Sequence, residues 1–188
     1  MCYFTGASCR FASAIPQMKQ RSLILFFVLA SCLAYGQHAV PPTDTLFIAG
    51  NIRKPLRFGL ADLDTFPTLQ IKDQVIYNHR GEVKDTITGM RGIALKTLLA
   101  PVEYVYEKPK ELNGLYVVFR ASDGYKVVLS WNEIYNTAAG DGFFIVTEMQ
   151  GKKLKSMEQR IVFISAADLK AGRRYIKGLR SIEVKQAE

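Results

Sequence analysis

The stretch LYVVFRASDGYKVVLS, residues 115–130, decides the fold that the sequence predicts. It contains two runs rich in β-branched and aromatic residues, separated by Ser122-Asp123-Gly124. An Asp-Gly pair between such runs is a strong signal for a tight turn. Ser130 and Glu133 then have the spacing of a capping box, which indicates that a helix begins after Ser130. The stretch therefore predicts a β-hairpin that leads directly into a helix.

On both sides of this stretch the sequence predicts more strands than helices. Short helices are predicted at GLADLDTFP, which Pro67 ends, and at IALKTLLAPV, which Pro101 ends. Strands are predicted at TLFIAGNI, KPLRF, LQIKDQVIYN, GFFIVTEMQGKKL (a hairpin turning at Gln150-Gly151), RIVFISA and SIEVK. Strands and helices do not alternate as in βαβ units, and no internal repeat is visible. The sequence predicts one β-dominated α+β domain.

The N-terminal region has the pattern of an export signal. Lys19 and Arg21 form a short basic segment, and the apolar run Ser22–Leu33 follows it. The run is too short to span a bilayer as a stable helix. Because Met18 directly precedes the basic segment, we expect residues 1–17 to be an upstream extension from a misassigned start codon. The alternative is a genuine N-terminal extension.

Two cleavage sites compete at the end of this signal. Ala34-Tyr35-Gly36 has the small-x-small pattern of ordinary signal peptidase, whereas Leu29-Ala30-Ser31-Cys32 resembles a lipobox. We favour cleavage before Gln37, because the small-x-small pattern closes the apolar stretch there. The chain is then exported, periplasmic or extracellular, and is attached to a membrane only in the alternative case of lipidation at Cys32.

The predicted organisation has three parts. Residues 1–36 are the upstream extension plus signal peptide, residues 37–44 are a flexible leader, and residues 45–188 are the domain. The cysteines Cys2, Cys9 and Cys32 all lie in the first part, so cleavage before Gln37 excludes disulfides, thiolate ligands and cysteine nucleophiles from the mature chain. A domain of this length can bury a core that is stable without disulfides.

The charge pattern excludes one function class. The chain from Gln37 onward has 22 Lys and Arg against 17 Asp and Glu, because Arg10, Lys19 and Arg21 of the 25 basic residues precede it. The charges are mixed along the chain, without the long basic runs of nucleic-acid-binding proteins. We therefore expect no nucleic-acid partner.

Residues for common catalytic sites are scarce. His38 falls in the predicted leader, which leaves His79 as the only histidine of the predicted domain. Zinc sites built on several histidines or cysteines are thereby excluded. The sequence contains no Walker loop, no G-x-G-x-x-G, no EF-hand loop and no G-x-S-x-G elbow. No catalytic residue and no metal ligand is predicted.

The C-terminal stretch GRRYIKGLRSIEV is the strongest candidate for a binding segment. Arg173, Arg174 and Lys177 follow Gly172 closely, and arginine offers a planar fork of donors to a phosphate or another anion. If residues 174–177 are extended, alternate side chains point to opposite faces. The competing interpretation is a solvated strand end whose charges serve solubility.

Four stretches in sequence order resemble the molybdopterin-binding domain of the sulfite oxidase family, in a small single-domain exported form. They are FIAGNIRKPLRFGLADLDTFP, TGMRGIALKTLL, ASDGYKVVLSWNEI and DLKAGRRYIKGLRSIEV. The resemblance runs from about Thr45 to Lys185, nearly the whole predicted domain. It implies the β-dominated α+β fold of that family and molybdopterin as the cofactor.

The sequence departs from this family at one chemically decisive position. Catalytic members have a molybdenum-binding cysteine just after the third strand, where this chain has VIYNHRGE, residues 75–82. Molybdenum in this family needs a soft thiolate, which neither a tyrosine nor an amide replaces. The resemblance therefore implies a domain that does not itself catalyse molybdenum-dependent oxidation.

The resemblance also implies a set of binding residues. Lys177 matches the family lysine that helps to hold the anionic part of the pterin, and Arg173 and Arg174 are its neighbours. Asn78 and Arg80 flank the lost ligand position and are expected to line the groove. Two function classes stay open: binding of a pterin-type or other anionic ligand, and a cofactor-free module that binds a protein partner in the cell envelope.

Three further residues are better explained by structure than by binding. Tyr125 completes an Asp-Gly-Tyr motif shared with the family, which a turn and a packed tyrosine would explain. We expect His79 to be a surface loop residue and Trp131 to be a partly buried anchor of its helix.

Overall fold

The computed structural model describes residues 40–78 and 80–187. The predicted upstream extension, the signal peptide, both cleavage sites, all three cysteines, His38 and His79 lie outside the described residues. Within the described ranges, no helix is long and apolar enough to cross a membrane.

Strands dominate the described chain. The strands are β1 Thr45–Gly50, β2 Leu56–Gly59, β3 Leu69–Ile71, β4 Gln74–Tyr77, β5 Val83–Ile87, β6 Met90–Ala94, β7 Leu115–Ala121, β8 Lys126–Ser130, β9 Phe143–Met149, β10 Lys152–Lys153, β11 Val162–Ser165, β12 Tyr175–Ile176 and β13 Leu179–Gln186. The α-helices are α1 Leu60–Leu63, α2 Leu95–Leu98 and α3 Trp131–Tyr135. Short 3-10 helices span Pro109–Gly114, Ala138–Gly142, Leu154–Ser156 and Ala171–Arg174. The prediction of a β-dominated α+β domain is confirmed.

The strands form two larger sheets and one separate hairpin. The first sheet has the order β2-β1-β13-β7-β8, in which β1 and β13 are parallel and the other pairs antiparallel. The second sheet has the order β12-β11-β9-β6-β3, with β10 paired to β9. Strands β4 and β5 pair only with each other among the described strands. LQIKDQVIYN was predicted as one strand, and this is wrong: the chain breaks at Lys72-Asp73 and its halves, β3 and β4, join different sheets.

The stretch at residues 115–130 folds as the sequence predicts. Gly124 adopts φ +89° in the turn, a conformation that favours glycine. The Asp123 side chain accepts a hydrogen bond from the Tyr125 N–H at 2.9 Å. The Glu133 N–H donates to the Ser130 hydroxyl at 3.0 Å, which caps α3. The Glu133 carboxylate pairs with Arg174, so the reciprocal half of a capping box is replaced by a long-range contact.

The second sheet is buried on both faces. On one face Phe143 and Phe163 meet Phe119 of the first sheet, and the rings of Phe119 and Phe163 lie 4.6 Å apart. On the other face a smaller cluster includes Ile76 of β4 and Ile87 of β5. The β4–β5 hairpin therefore covers the outer face of the second sheet through a few apolar side chains. Fully burying each such side chain stabilises the fold by about 1.5–3 kcal/mol.

The described part of the predicted flexible leader is held against the domain. Thr43 is buried and donates its hydroxyl to the Leu179 carbonyl at 2.9 Å. Asp44 pairs with Arg160, and the Pro41 carbonyl accepts the hydroxyl of Ser122. The anchored chain thus starts before Thr45 in the structure, whereas the flexibility of residues 37–39 stays a prediction.

Candidate functional site

A basic cleft lies where the end of β4 meets the 3-10 turn at residues 171–174. It consists of two hollows of about 330 and 270 Å³ that share Tyr77, Asn78 and Gly172. The larger hollow is also lined by Ile76, Lys84, Asp85, Tyr175 and Lys177, and the smaller one by Tyr125, Lys170 and Arg173. Segments far apart in the sequence therefore converge here, with four cationic side chains and one carboxylate among the described lining residues.

Gly172 allows the basic turn to lie close to β4. A Cβ at this position would lie 3.3 Å from both the Ile76 Cγ2 and the Tyr77 carbonyl oxygen. Any side chain here would therefore push the turn and the strand apart by a few tenths of an ångström. The glycine that precedes the arginines in the sequence thus brings them beside Tyr77 and Asn78.

Lys177 extends into the larger hollow. Its Nζ lies 5.5 Å from the centre of the Tyr175 ring, within the range of a cation–π contact. The next residue, Gly178, has φ +61°, and a Cβ there would lie 2.7 Å from the Pro41 carbonyl oxygen. Only glycine fits that turn without strain. The turn after Lys177 is therefore fixed by backbone geometry and by the anchored leader.

Arg173 lines the smaller hollow and is exposed. Its carbonyl oxygen accepts a hydrogen bond from the Tyr125 hydroxyl at 2.7 Å. Tyr125 is 46% exposed, so it is less packed than the sequence suggested. The Asp-Gly-Tyr motif thus supports the basic turn from the side of the first sheet.

Arg174 points away from the cleft. Its guanidinium pairs with Glu133 of α3 and, at 3.3 Å, with Asp168, and lies 6.0 Å from the centre of the Phe143 ring. Asp168 is held in turn by the buried Ser165 hydroxyl at 2.7 Å. Of the two neighbouring arginines, the structure therefore places only Arg173 at the cleft. Arg174 instead connects α3 to the segment before the 3-10 helix through its two ion pairs.

Asn78 and Arg80 belong to the turn of the β4–β5 hairpin. The Asn78 side-chain oxygen accepts from the backbone N–H groups of Arg80 at 2.9 Å and Glu82 at 3.0 Å, and its amide donates to the Glu82 carboxylate at 2.7 Å. Asn78 lines both hollows, but these bonds occupy most of its polar capacity. Arg80 is exposed and is not among the lining residues.

Sequence reasoning missed the charged lining residues Lys84, Asp85 and Lys170, and it did not assign the apolar and aromatic lining residues to the site, namely Ile76, Tyr77, Tyr125 and Tyr175. Burial raises the pKa of Tyr175 to about 12, and the nearby negative charge of Asp85 adds to the effect. Lys84 and Asp85 lie on β5, a polar strand without an alternating apolar pattern. No local signal marks Lys84 and Asp85, because they reach the cleft only when the β4–β5 hairpin folds onto the second sheet.

The residues around the cleft fit an anion better than molybdenum. Nothing in residues 40–78 and 80–187 forms a group of three or more His, Cys, Asp or Glu side chains suited to a metal, and these residues include no cysteine. The chain supplies no soft thiolate at Tyr77 and Asn78. Its lysines and arginine instead suit a phosphate or carboxylate.

Comparison with known proteins supports the fold. Neither the family models nor the curated proteins searched match the sequence. The chain is similar to the crystal structure of the sulfane dehydrogenase SoxCD from Paracoccus pantotrophus, with a TM-score of 0.55 and 14% sequence identity. The match covers 79% of this chain and 40% of that chain. At this identity the likeness shows a shared fold, and the chain spans less than half the length of its structural neighbour.

Proposed function

We propose that the protein is an exported, molybdopterin-binding-like domain of the sulfite oxidase type. Its basic cleft binds the anionic part of a pterin-type ligand or another small anion, and it does not itself catalyse molybdenum-dependent oxidation. The observation that carries this proposal is the convergence of Lys84, Lys170, Arg173 and Lys177 on one cleft.

The electrostatics of the cleft favour an anion. None of these four cations forms an ion pair with any residue in the described ranges, whereas the neighbouring Arg174 has two carboxylate partners. Two of these cations line each hollow of the cleft, and like charges that close to one another repel. An anion bound in the cleft relieves that repulsion. Lys177 and Arg173 would contact the anion, the lysine as a point charge and the arginine as a fork of donors.

Two further observations support the cofactor class. Lys177, which matches the lysine of the sulfite oxidase-type motif, is one of the cations of the cleft. The fold also resembles part of a dehydrogenase over 79% of this chain. Export follows from the signal pattern at residues 19–36, and intact-mass measurement of the native protein distinguishes a start at Gln37 from a lipidated Cys32.

The proposal predicts that Lys177→Ala weakens binding of a pterin phosphate by about tenfold to a hundredfold, because it removes a charge-assisted hydrogen bond. Stability should change by less than about 0.5 kcal/mol, since Lys177 is exposed. Calorimetric titration and thermal melts of both proteins measure the two effects. Binding by the wild type should also weaken with added salt.

Lys54→Ala is the matched control, because Lys54 is also an exposed lysine and does not line either hollow. It should bind the ligand as the wild type does. Equal affinity of the wild type and Lys177→Ala, or no binding by either, would contradict the proposal.

One observation favours the alternative, a cofactor-free module that binds an envelope partner. Leu169 is 99% exposed, and it directly precedes Lys170 at the edge of the cleft. A fully exposed leucine beside unpaired cations suits a partner with an apolar pocket and an acidic rim. A photo-crosslinker at position 169 tests this in the native envelope. One specific adduct, together with no ligand binding at the cleft, would favour the alternative.

A further inference from the structure

Asp85 is the one carboxylate among the described residues that line the basic cleft. It lies on β5, is exposed, and lines the same hollow as Lys84, Lys177 and Tyr175. A cleft that bound only a simple anion would gain nothing from this charge, since a carboxylate repels a phosphate.

The Asp85 carboxylate has unused hydrogen-bonding capacity. One oxygen accepts the Thr86 N–H at 2.8 Å, and the other has no partner among the described residues. Neither Lys84 nor Lys177 lies within ion-pair distance of it, as no salt bridge in the described chain involves Asp85. Each carboxylate oxygen accepts about two hydrogen bonds, so both oxygens remain open to a ligand.

The hollow therefore offers a cation and an acceptor as separate, unpaired groups. A ligand that satisfies both carries an anionic group and, at another point, N–H donors. Tyr77 and Tyr175 line the same space, which favours a planar ring between the two ends. The hollow of about 330 Å³ is within the usual size range of small-molecule sites, roughly 300–1,000 Å³.

We propose that Asp85 determines ligand specificity by accepting two adjacent N–H donors from a 2-amino-4-oxo-pyrimidine edge while Lys177 and Arg173 hold the ligand's phosphate. This edge, common to pterins and guanines, presents a ring N–H beside an amino group, and a carboxylate accepts such a pair in two parallel bonds. The inference rests on the proposed function, because it assigns the anionic end to Lys177 and Arg173. It goes beyond that function by naming the class of ring that Asp85 binds at the opposite end of the ligand.

Calorimetric titration with four probes tests the assignment. The probes are inorganic phosphate, 6-hydroxymethylpterin phosphate, the matching lumazine phosphate, in which a carbonyl replaces the 2-amino group, and guanosine monophosphate. The wild type should bind the pterin at least about tenfold more tightly than the lumazine, because the lumazine offers Asp85 one donor fewer and one repelling oxygen. The affinities for the pterin phosphate and for guanosine monophosphate, compared with each other, show which of the two ring systems the site prefers.

Asp85→Asn should remove this preference and weaken pterin phosphate binding by about tenfold to a hundredfold. Binding of inorganic phosphate should stay equal or become tighter, since a repelling charge is lost. Asp64→Asn is the control: Asp64 is also an exposed carboxylate, but it lines a different hollow. That variant should keep the wild-type preference, and thermal melts check that all variants are folded.

The two proposals fail in different ways. If the wild type binds phosphate through Lys177 but does not distinguish pterin from lumazine, or if Asp85→Asn keeps the preference, the specificity role of Asp85 is overturned and the anion site stands. If the wild type binds none of the four probes, the proposed function itself is wrong and the role of Asp85 falls with it.

Discussion

The β7–β8 hairpin and the β4–β5 hairpin, the first and the second in this comparison, differ in how they are held. The β7–β8 hairpin is the edge of the first sheet and turns on Asp123-Gly124, and its strands supply fully buried side chains such as Phe119 and Leu129. The β4–β5 hairpin pairs with neither large sheet among the described strands, and most of β5 is exposed. Its register shifts near Tyr77, and its turn is held by the Asn78 side chain.

This difference separates stability from binding. The first hairpin is fixed by local turn chemistry and by the main core, so it sets the fold. The second rests on a few apolar contacts, and its polar side chains, including Lys84 and Asp85, are therefore available to the cleft. Binding residues often lie on such loosely held segments, supported by a rigid scaffold.

The sharpest test of this comparison is Phe119→Ala in the first hairpin. Phe119 is fully buried and packs on Phe163 of the other sheet. Its truncation leaves a cavity in the main core and should lower the free energy of unfolding by about 3–5 kcal/mol. Urea denaturation measures the loss. Below the melting temperature, ligand affinity should stay within about twofold, because Phe119 lines neither hollow of the cleft. A loss under about 1 kcal/mol would show that the main core does not depend on this contact.

Ile76→Ala in the second hairpin should have a smaller effect on stability and a larger one on binding. Ile76 is buried in the smaller cluster and also lines the cleft. We expect a loss of about 2–3 kcal/mol in the free energy of unfolding. Affinity for pterin phosphate should fall severalfold, because a loosened hairpin is competent to bind for only part of the time. Unchanged affinity in this variant would mean that the hairpin does not shape the site.

Tyr125→Phe tests the contact between the β7–β8 hairpin and the basic turn of the cleft. Its effect should be the smallest of the three. The variant removes the hydrogen bond from the tip of the first hairpin to the Arg173 carbonyl. Because this bond is exposed, stability should fall by less than about 1 kcal/mol. Binding should weaken by two- to fivefold as Arg173 becomes less well positioned. Tyr106→Phe, at an equally exposed tyrosine outside the cleft lining, is the control in the same calorimetric titration.

The first hairpin could be predicted from sequence because its signals are local. Asp123-Gly124 marks the turn, runs rich in β-branched and aromatic residues mark the strands, and the Ser130 cap marks the helix. The second hairpin has weaker local signals. VKDTI, which forms β5, was not predicted as a strand, because it carries two charged residues and shows no alternation of apolar residues. In the structure only its last residue, Ile87, is buried. The preceding run, LQIKDQVIYN, was predicted as one strand, but it forms the two strands β3 and β4.

Only part of the candidate site could be predicted from the sequence, because several of its residues also lack a local signal. Lys177 was assigned from its match to the family lysine and Arg173 as its neighbour in the basic stretch after Gly172, and the structure places both at the cleft. Spacing alone could not separate Arg173 from Arg174, because the difference lies in Glu133, 41 residues away in the chain. Asp85 and Lys170 were missed because only the tertiary fold brings them to the same cleft, where they line different hollows.

The place of β13 in the first sheet has a consequence for the order in which the chain can fold. β13 is the last of the described strands in chain order, yet it lies between β1 and β7. The leader contact between Thr43 and Leu179 likewise joins residues 136 positions apart. A ribosome delivers β1 and β7 long before the strand that must lie between them, and pairing across such a distance is slow. The five-stranded sheet therefore cannot close until residues 179–186 have been synthesised.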